Sequence, residues 1–226
     1  MPTFKHDSGK KFFFVHIPRC GGRFLEQNLL HNNNFVWWDG LPVDYMYGVY
    51  KGIEVAHFHR EYYEEYLRVN NLPHIAIVRN PLDRFISASI YLKKCYGECQ
   101  ELMEDENYFY SMLGNFPCDE SVNWFRPQVD FLTSETNIWK FEDGFGDDFA
   151  EWLSDVLGVE FVVNEINPDN VKNINRQKLN LEYLEPDHKS RKLDRSAKLV
   201  NNITALYEKD IEQLYPELAT PFEEGT

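Results

Sequence analysis

The stretch from Phe12 to Leu30 constrains this chain most. Phe12, Phe13, Phe14 and Val15 form a short apolar run that reads as a buried strand. HIPRCGGR follows as a glycine-containing turn, and Phe24, Leu25, Leu29 and Leu30 then recur at helical spacing. Strand, glycine turn and helix, in that order, set backbone N–H groups and a helix N-terminus against an anion such as phosphate. Gly21 and Gly22 allow close backbone approach, and Arg19 and Arg23 add charge where the helix dipole is already positive. The same residues also suit an ordinary strand-to-helix turn with no ligand.

A second unit of the same kind begins after Pro73. Ile75, Ala76, Ile77 and Val78 form a continuous apolar run, as in a parallel strand covered on both faces. Asn80-Pro81 breaks it, and LDRFISASIYLKKCYG continues as a helix with Leu82, Phe85, Ile86, Ile90 and Tyr91 on one face. With Ile53 to Phe58 as a strand between the two units, the pattern predicts an α/β three-layer domain. Its central parallel sheet is flanked by helices, and residues 1–226 form one domain.

The rest fills in that plan. Phe35 to Trp38 is expected as a short strand, Asp39 to Lys51 as a loop, and REYYEEYLRVNN as a helix. Glu98 to Glu120 is acidic and aromatic and reads as a helix followed by a lid-like loop. Ser121 to Phe131 reads as a helix bent at Pro127, and Asn137 to Phe141 as a third core strand. Phe149 to Leu157 is an amphipathic helix stopped by Gly158. Asn164 to Pro186 is a long polar connection, and Asp194 to Tyr215 a terminal helix with Leu199, Ile203, Leu206, Ile211 and Leu214 in phase.

Composition excludes several functions. A net charge of −14 argues against a nucleic-acid partner but leaves room for a local basic pocket. Cys95 and Cys99 stand four apart with no second Cys/His pair beside them, so no metal is expected. Cys20 and Cys118 do not extend them to a disulfide framework. The polar start MPTFKHDSGKK does not read as a signal peptide, and no stretch is long enough to span a membrane. The expectation is a soluble cytoplasmic protein; the luminal domain of a membrane-anchored parent would look the same.

Arg79 ends the buried strand, and Ser87 lies about two turns into the next helix. A forked guanidinium and a hydroxyl on one anion suit phosphate, although a strand-end Arg also pairs readily with a carboxylate such as Asp83. Two such elements on different strands suit a ligand with two separated phosphate groups. These residues resemble the sulfotransferase superfamily, and most of all its carbohydrate type, where HIPKTGGT and RDPxxRxxS-like segments recur. HIPRCGG and VRNPLDRFISAS stand in that order here, and WFRPQVDFL, NIWKFED, NINRQK and LYEKDIEQLYP are similar to later family segments.

The resemblance implies a P-loop-like fold and an enzyme that uses 3′-phosphoadenosine-5′-phosphosulfate (PAPS) as co-substrate. It implies that Arg19, Cys20, Gly21, Gly22, Arg23 and Phe24 hold the phosphosulfate, with Arg79 and Ser87 on the 3′-phosphate. Arg176, with Lys178 beside it, would sit in a loop closing over the nucleotide. Arg19 stands where the family has Lys, and Cys20 and Arg23 stand at two Thr positions. The partner implied is a hydroxyl-bearing acceptor, a glycan above all.

Sulfuryl transfer needs a base for the acceptor hydroxyl and cations on the leaving oxygen. AHFHREYY resembles the family segment that supplies a His base, so His57 is the first candidate and His59 the second, with Arg19 as the catalytic cation. On a persistent strand His57 and His59 share one face. Glu54 and Glu61 are carboxylate alternatives, while His16 fixes the turn. Arg126 and Gln128, Lys140 and Glu142 are polar groups that either face the ligands or are simply solvated. Trp37, Trp38, Tyr45, Tyr47 and Tyr50 make either a sugar-stacking wall or loop packing. Two other readings stand beside this one. A P-loop nucleotide kinase lacks its G-x-x-x-x-G-K-[ST] signature here, and a non-catalytic nucleotide- or glycan-binding module would use the same fold.

Overall fold

The structure is a computed structural model that describes residues 2–37, 49–50, 53–67, 69, 71–96, 123–163 and 197–219. Its strands are β1 (Thr3–His6), β2 (Lys11–Val15), β3 (Phe35–Trp37), β4 (Val49–Tyr50), β5 (Ile53–Glu54), β6 (His74–Val78) and β7 (Asn137–Lys140). Its helices are α1 (Gly22–Asn32), α2 (Arg60–Tyr66), α3 (Pro81–Tyr96), α4 (Asp147–Leu157), α5 (Ala197–Leu206) and α6 (Glu208–Leu214). Five strands form one sheet in the order β3-β1-β2-β6-β7, and β4 and β5 form a separate ribbon. β2 pairs with β6 and β6 with β7 in parallel, whereas β1 is antiparallel to both of its neighbours. Only β1 opposes the common strand direction, so the sheet is mixed and mostly parallel, as expected of an α/β fold flanked by helices.

The two apolar runs lie at its centre. Phe13 and Val15 are fully buried, as are Ala76 and Val78. Leu25 and Leu29 of α1, Tyr63 of α2 and Phe149, Leu153 and Leu157 of α4 join the same core. A second cluster packs Phe85 and Ala88 of α3 against Trp124, Phe125, Ile203 and Tyr207. Each parallel strand delivers its C-terminal residue to the same end of the sheet. In open α/β sheets the crevice outside those ends is where ligands bind.

Several expectations are corrected. Ile53 to Phe58 is not a strand of the main sheet, because β2 pairs directly with β6. Only Ile53–Glu54 is extended; Val55–His57 is a 3₁₀ turn, and the Asn123 side chain donates to the His57 carbonyl at 2.7 Å. The alternation of that segment reflects a turn that buries Val55, His57 and Phe58. Among the described residues β7 is an edge strand rather than a core one, with Asn137 and Ile138 exposed. Of Ser121 to Phe131, Asn123 is helical, 124–126 is turn and bend, and a 3₁₀ turn follows at Gln128–Phe131, since Pro127 supplies no N–H to a continuing helix. The terminal helix breaks at buried Tyr207, whose hydroxyl donates to the Phe125 carbonyl at 2.9 Å. The Glu98 to Glu120 segment, the 164–186 connection and most of the Asp39 to Lys51 loop lie outside the described residues.

Candidate active site

After β2 the chain turns sharply onto α1. Arg19 and Gly21 both take left-handed backbone conformations, with φ of 67° and 86°. Gly21 is the N-cap of α1, and its carbonyl accepts the N–H groups of Phe24 and Leu25 at 3.0 and 3.3 Å. Glycine adopts this conformation freely, whereas Arg19 bears a strain of roughly 1–2 kcal/mol. Strain of that kind gathers at functional loops. Both glycines also have an internal reason to be there. A Cβ on Gly22 would meet His16 Nε2 at 2.1 Å, and one on Gly21 would meet Phe145 at 3.0 Å and Phe141 at 3.2 Å. No acidic residue sits in the first turn of α1, which opens at the C-terminal end of β2. The positive end of the helix dipole therefore faces the crevice.

The two units converge here. Arg19 Nε donates to Ser87 Oγ at 3.0 Å, and Arg79 Nη1 donates to the Arg19 carbonyl at 3.3 Å. Arg79 lies 4.4 Å over the Phe141 ring. Its Nε is buried and finds no hydrogen-bond partner among the described residues. An orphaned donor on a cation, beside a second arginine, a hydroxyl and a helix N-terminus, suits a phosphate or sulfate group. Asn80 caps α3, accepting the N–H groups of Leu82 and Asp83 at 3.0 and 3.3 Å.

The remaining predicted residues divide. The Cys20 side chain turns inward, its thiol donating to Gln128 Oε1 at 3.3 Å, so the loop offers only backbone at this position. Burial pushes that thiol up to about 12, against the opposing pull of Arg84 and Arg79. Arg23 is exposed, and Phe24 packs tilted against Phe145 with ring centroids 4.6 Å apart. Arg176 and Lys178 lie outside the described residues, as does the candidate aromatic wall apart from the backbone of Trp37 and Tyr50.

The two histidines point into different surroundings. His57 Nδ1 lies 3.0 Å from the His16 carbonyl, which can only accept, so Nδ1 carries the proton and Nε2 the lone pair. Its ring sits 4.5 Å from that of His16, which itself lies against Gly22 and 3.2 Å from Glu26. Burial, and then the neighbouring His16, hold His57 well below the ordinary imidazole range. His59 instead packs on Tyr62 at 4.6 Å, and burial together with Arg126 lowers it to about 4. Its Nε2 has no partner among the described residues. The shared face expected of a strand is absent because the 3₁₀ turn separates the two rings.

One site residue, Arg84, was missed from sequence, and Gln128, expected either to face a ligand or to be solvated, does neither. Fully buried Arg84 donates from Nε to the Pro18 carbonyl at 3.1 Å and from Nη2 to the Trp124 carbonyl at 3.0 Å, tying the first loop to α3. Gln128 pairs with the Arg79 peptide, as described below. The available signal was a second arginine one turn beyond Arg79 and a glutamine following a proline.

A mostly parallel sheet with a tight loop at a helix N-terminus, where Arg19 bonds both Ser87 and Arg79, defines an α/β protein whose loop suits an anionic group. Comparison with known proteins makes that class specific. A sequence model described as "Sulfotransferase family" matches residues 2–216, and the chain belongs to that family. Its chemistry is therefore sulfuryl transfer to a hydroxyl-bearing acceptor. Among solved structures it is similar to a sulfotransferase from Alicyclobacillus acidocaldarius, at 18% identity and a TM-score of 0.31, covering 75% of this chain and 68% of that one. No curated protein sequence matches. No described helix is long and apolar enough to cross a membrane.

Proposed function

We propose that this chain moves a sulfuryl group from PAPS to a hydroxyl of a carbohydrate, directly and in line. The observation that carries this reading is the junction of Arg19, Ser87 and Arg79 at the C-terminal ends of two parallel strands. The donor supplies a sulfuryl group on a good phosphate leaving group. Arg19, with the backbone of Cys20 to Phe24 at the start of α1, binds the phosphosulfate end and takes up charge developing on the leaving oxygen. Arg79 and Ser87 bind the 3′-phosphate, the bidentate fork supplying geometry as well as charge. The family resemblance adds Arg176 as a further candidate for contact with the nucleotide.

His57 is the base. Its Nε2 accepts the proton of the acceptor hydroxyl as that oxygen bonds to sulfur and the bond from sulfur to the 5′-phosphate oxygen breaks. Two features favour it over His59: a fixed tautomer and a ring beside the α1 N-terminus through His16. His59 lies away from that loop, against Tyr62 and Arg126. Positioning and electrostatics dominate transfers of this kind.

The test is transfer of radiolabelled sulfate from PAPS to a panel of mono- and oligosaccharides. Label on a sugar, lost in Arg19→Ala, supports the reading. Labelling of phenols or steroids but not sugars moves the acceptor class, and no transfer to any hydroxyl removes the catalytic claim.

A further inference from the structure

Arg79 ends a strand, and nothing in β6 itself fixes the peptide that follows. Side chains from elsewhere do. The Gln128 amide faces the Arg79 peptide head-on: Oε1 accepts from the Arg79 N–H at 2.8 Å, and Nε2 donates to the Arg79 carbonyl at 2.8 Å. One residue on, Glu142 Oε1 accepts the Asn80 N–H at 2.7 Å. The polar backbone groups on both sides of the Arg79 side chain are thus taken up by two side chains.

Both of those side chains are held in turn by the same C-terminal segment. Asp210 of α6 is fully buried; its carboxylate accepts from Gln128 N at 2.9 Å, Gln128 Nε2 at 3.3 Å and Val129 N at 3.0 Å. Tyr215, at the end of α6, donates its hydroxyl to Glu142 Oε2 at 3.0 Å. Lys140 lies 4.6 Å over the Tyr215 ring and pairs with Glu217 at 3.2 Å, pinning the chain just beyond it. Gln128 also accepts from Cys20 in the first loop. Two relays, Asp210–Gln128 and Tyr215–Glu142, therefore start on one helix and end on consecutive peptides.

We propose that α6 is a positioning brace for the donor site: Asp210 and Tyr215, acting through Gln128 and Glu142, set the direction in which Arg79 presents its guanidinium. None of the four needs to touch the ligand. The inference rests on the proposed reading of Arg79 as a phosphate-binding residue. A planar fork tolerates little misdirection before one of its two bonds is lost.

The experiment is calorimetric titration of 3′,5′-ADP into wild type, Arg79→Ala, Glu142→Ala, Glu142→Gln and Tyr215→Phe, with donor KM and kcat for each. Glu142→Gln keeps an acceptor for Asn80 and a group Tyr215 can bond, so it acts as the rescue variant. We expect about tenfold weaker binding in Glu142→Ala, a smaller loss in Tyr215→Phe, and near-wild-type binding in Glu142→Gln. Donor KM should rise in the same order at nearly constant kcat, and melting temperatures of the free proteins should stay close to wild type. A merely structural role would lower the melting temperature and leave Kd alone. If Arg79→Ala abolishes binding while Glu142→Ala and Tyr215→Phe bind as wild type, the brace is wrong and the donor site stands. If wild type and Arg79→Ala bind equally, or neither binds, the donor site itself is wrong and the brace with it.

Discussion

Arg19 and Ser87, 68 residues apart in the chain, meet through a hydrogen bond from Nε to Oγ at 3.0 Å. This bond joins the loop before α1 to the second turn of α3, so the chain itself holds the two halves of the candidate donor site together. Ser87→Ala removes the acceptor. The expected result is roughly tenfold weaker binding of 3′,5′-ADP, with unfolding free energy changed by about 1 kcal/mol or less. Ser87→Thr should recover most of the affinity, as read by calorimetry.

Gly22 is a packing position. The His16 imidazole occupies the space a side chain would need, with Nε2 only 2.1 Å from an added Cβ. Gly22→Ala must displace His16, and with it the carbonyl that orients His57. A loss of about 1–3 kcal/mol in urea unfolding is expected, as for overpacking elsewhere. Gly146→Ala makes the contrast, since Gly146 has a negative φ of −96° and nothing within 4 Å of its added Cβ. Equal unfolding midpoints for wild type and Gly22→Ala would mean that the His16 arrangement is not as described.

His57→Ala should lower kcat by about 10²–10⁴-fold while leaving 3′,5′-ADP binding nearly unchanged, the signature of a lost base rather than a lost binding group. His59→Gln should cost far less in kcat. Should the two variants behave in the reverse order, the base is His59, and the tautomer argument from the His16 carbonyl fails.

Stability should fall on mild acidification. His59 titrates at about 4 in the folded chain against its ordinary 6.5, because burial and Arg126 disfavour the imidazolium. The unfolded chain therefore binds a proton between these values that the folded chain refuses. The stability this preserves is complete above 6.5 and declines as pH falls toward 4, and His57, lowered for the same main reason, acts in the same direction. Urea midpoints should drop between about pH 7 and about pH 5.5, where most carboxylates are still ionised. His59→Gln should flatten part of that slope; an unchanged slope would show that His59 is not buried neutral.

How much of this was legible from sequence depended on range. β2, β6, α3 and α4 were readable because the pattern of each element lies within its own residues: two apolar runs, a face at helical spacing, and a stop at Gly158 with φ of 61°. β1 was missed because TFKH carries no apolar run; it exists because both neighbouring strands present free edges to it. The Ile53 to Phe58 segment misled because a 3₁₀ turn can bury alternate residues as a strand does. That Arg19, Arg79 and Ser87 come together was legible because glycines and strand ends mark them. Arg84 and Asp210 were not singled out, and Gln128 was named without its pairing to the Arg79 peptide, because each works through a partner 40 to 82 residues away and carries no local mark of it.

The central claim is that the Arg19–Ser87–Arg79 junction holds the donor nucleotide. Its most direct test is a thermal-shift titration with 3′,5′-ADP, beside 5′-AMP and ATP–Mg²⁺, on wild type and Arg79→Ala. A ligand that binds only the folded chain raises the melting temperature by mass action. The account predicts a shift with 3′,5′-ADP that exceeds the other two and disappears in Arg79→Ala. An equal shift in Arg79→Ala, or a shift with ATP–Mg²⁺ alone, would contradict it.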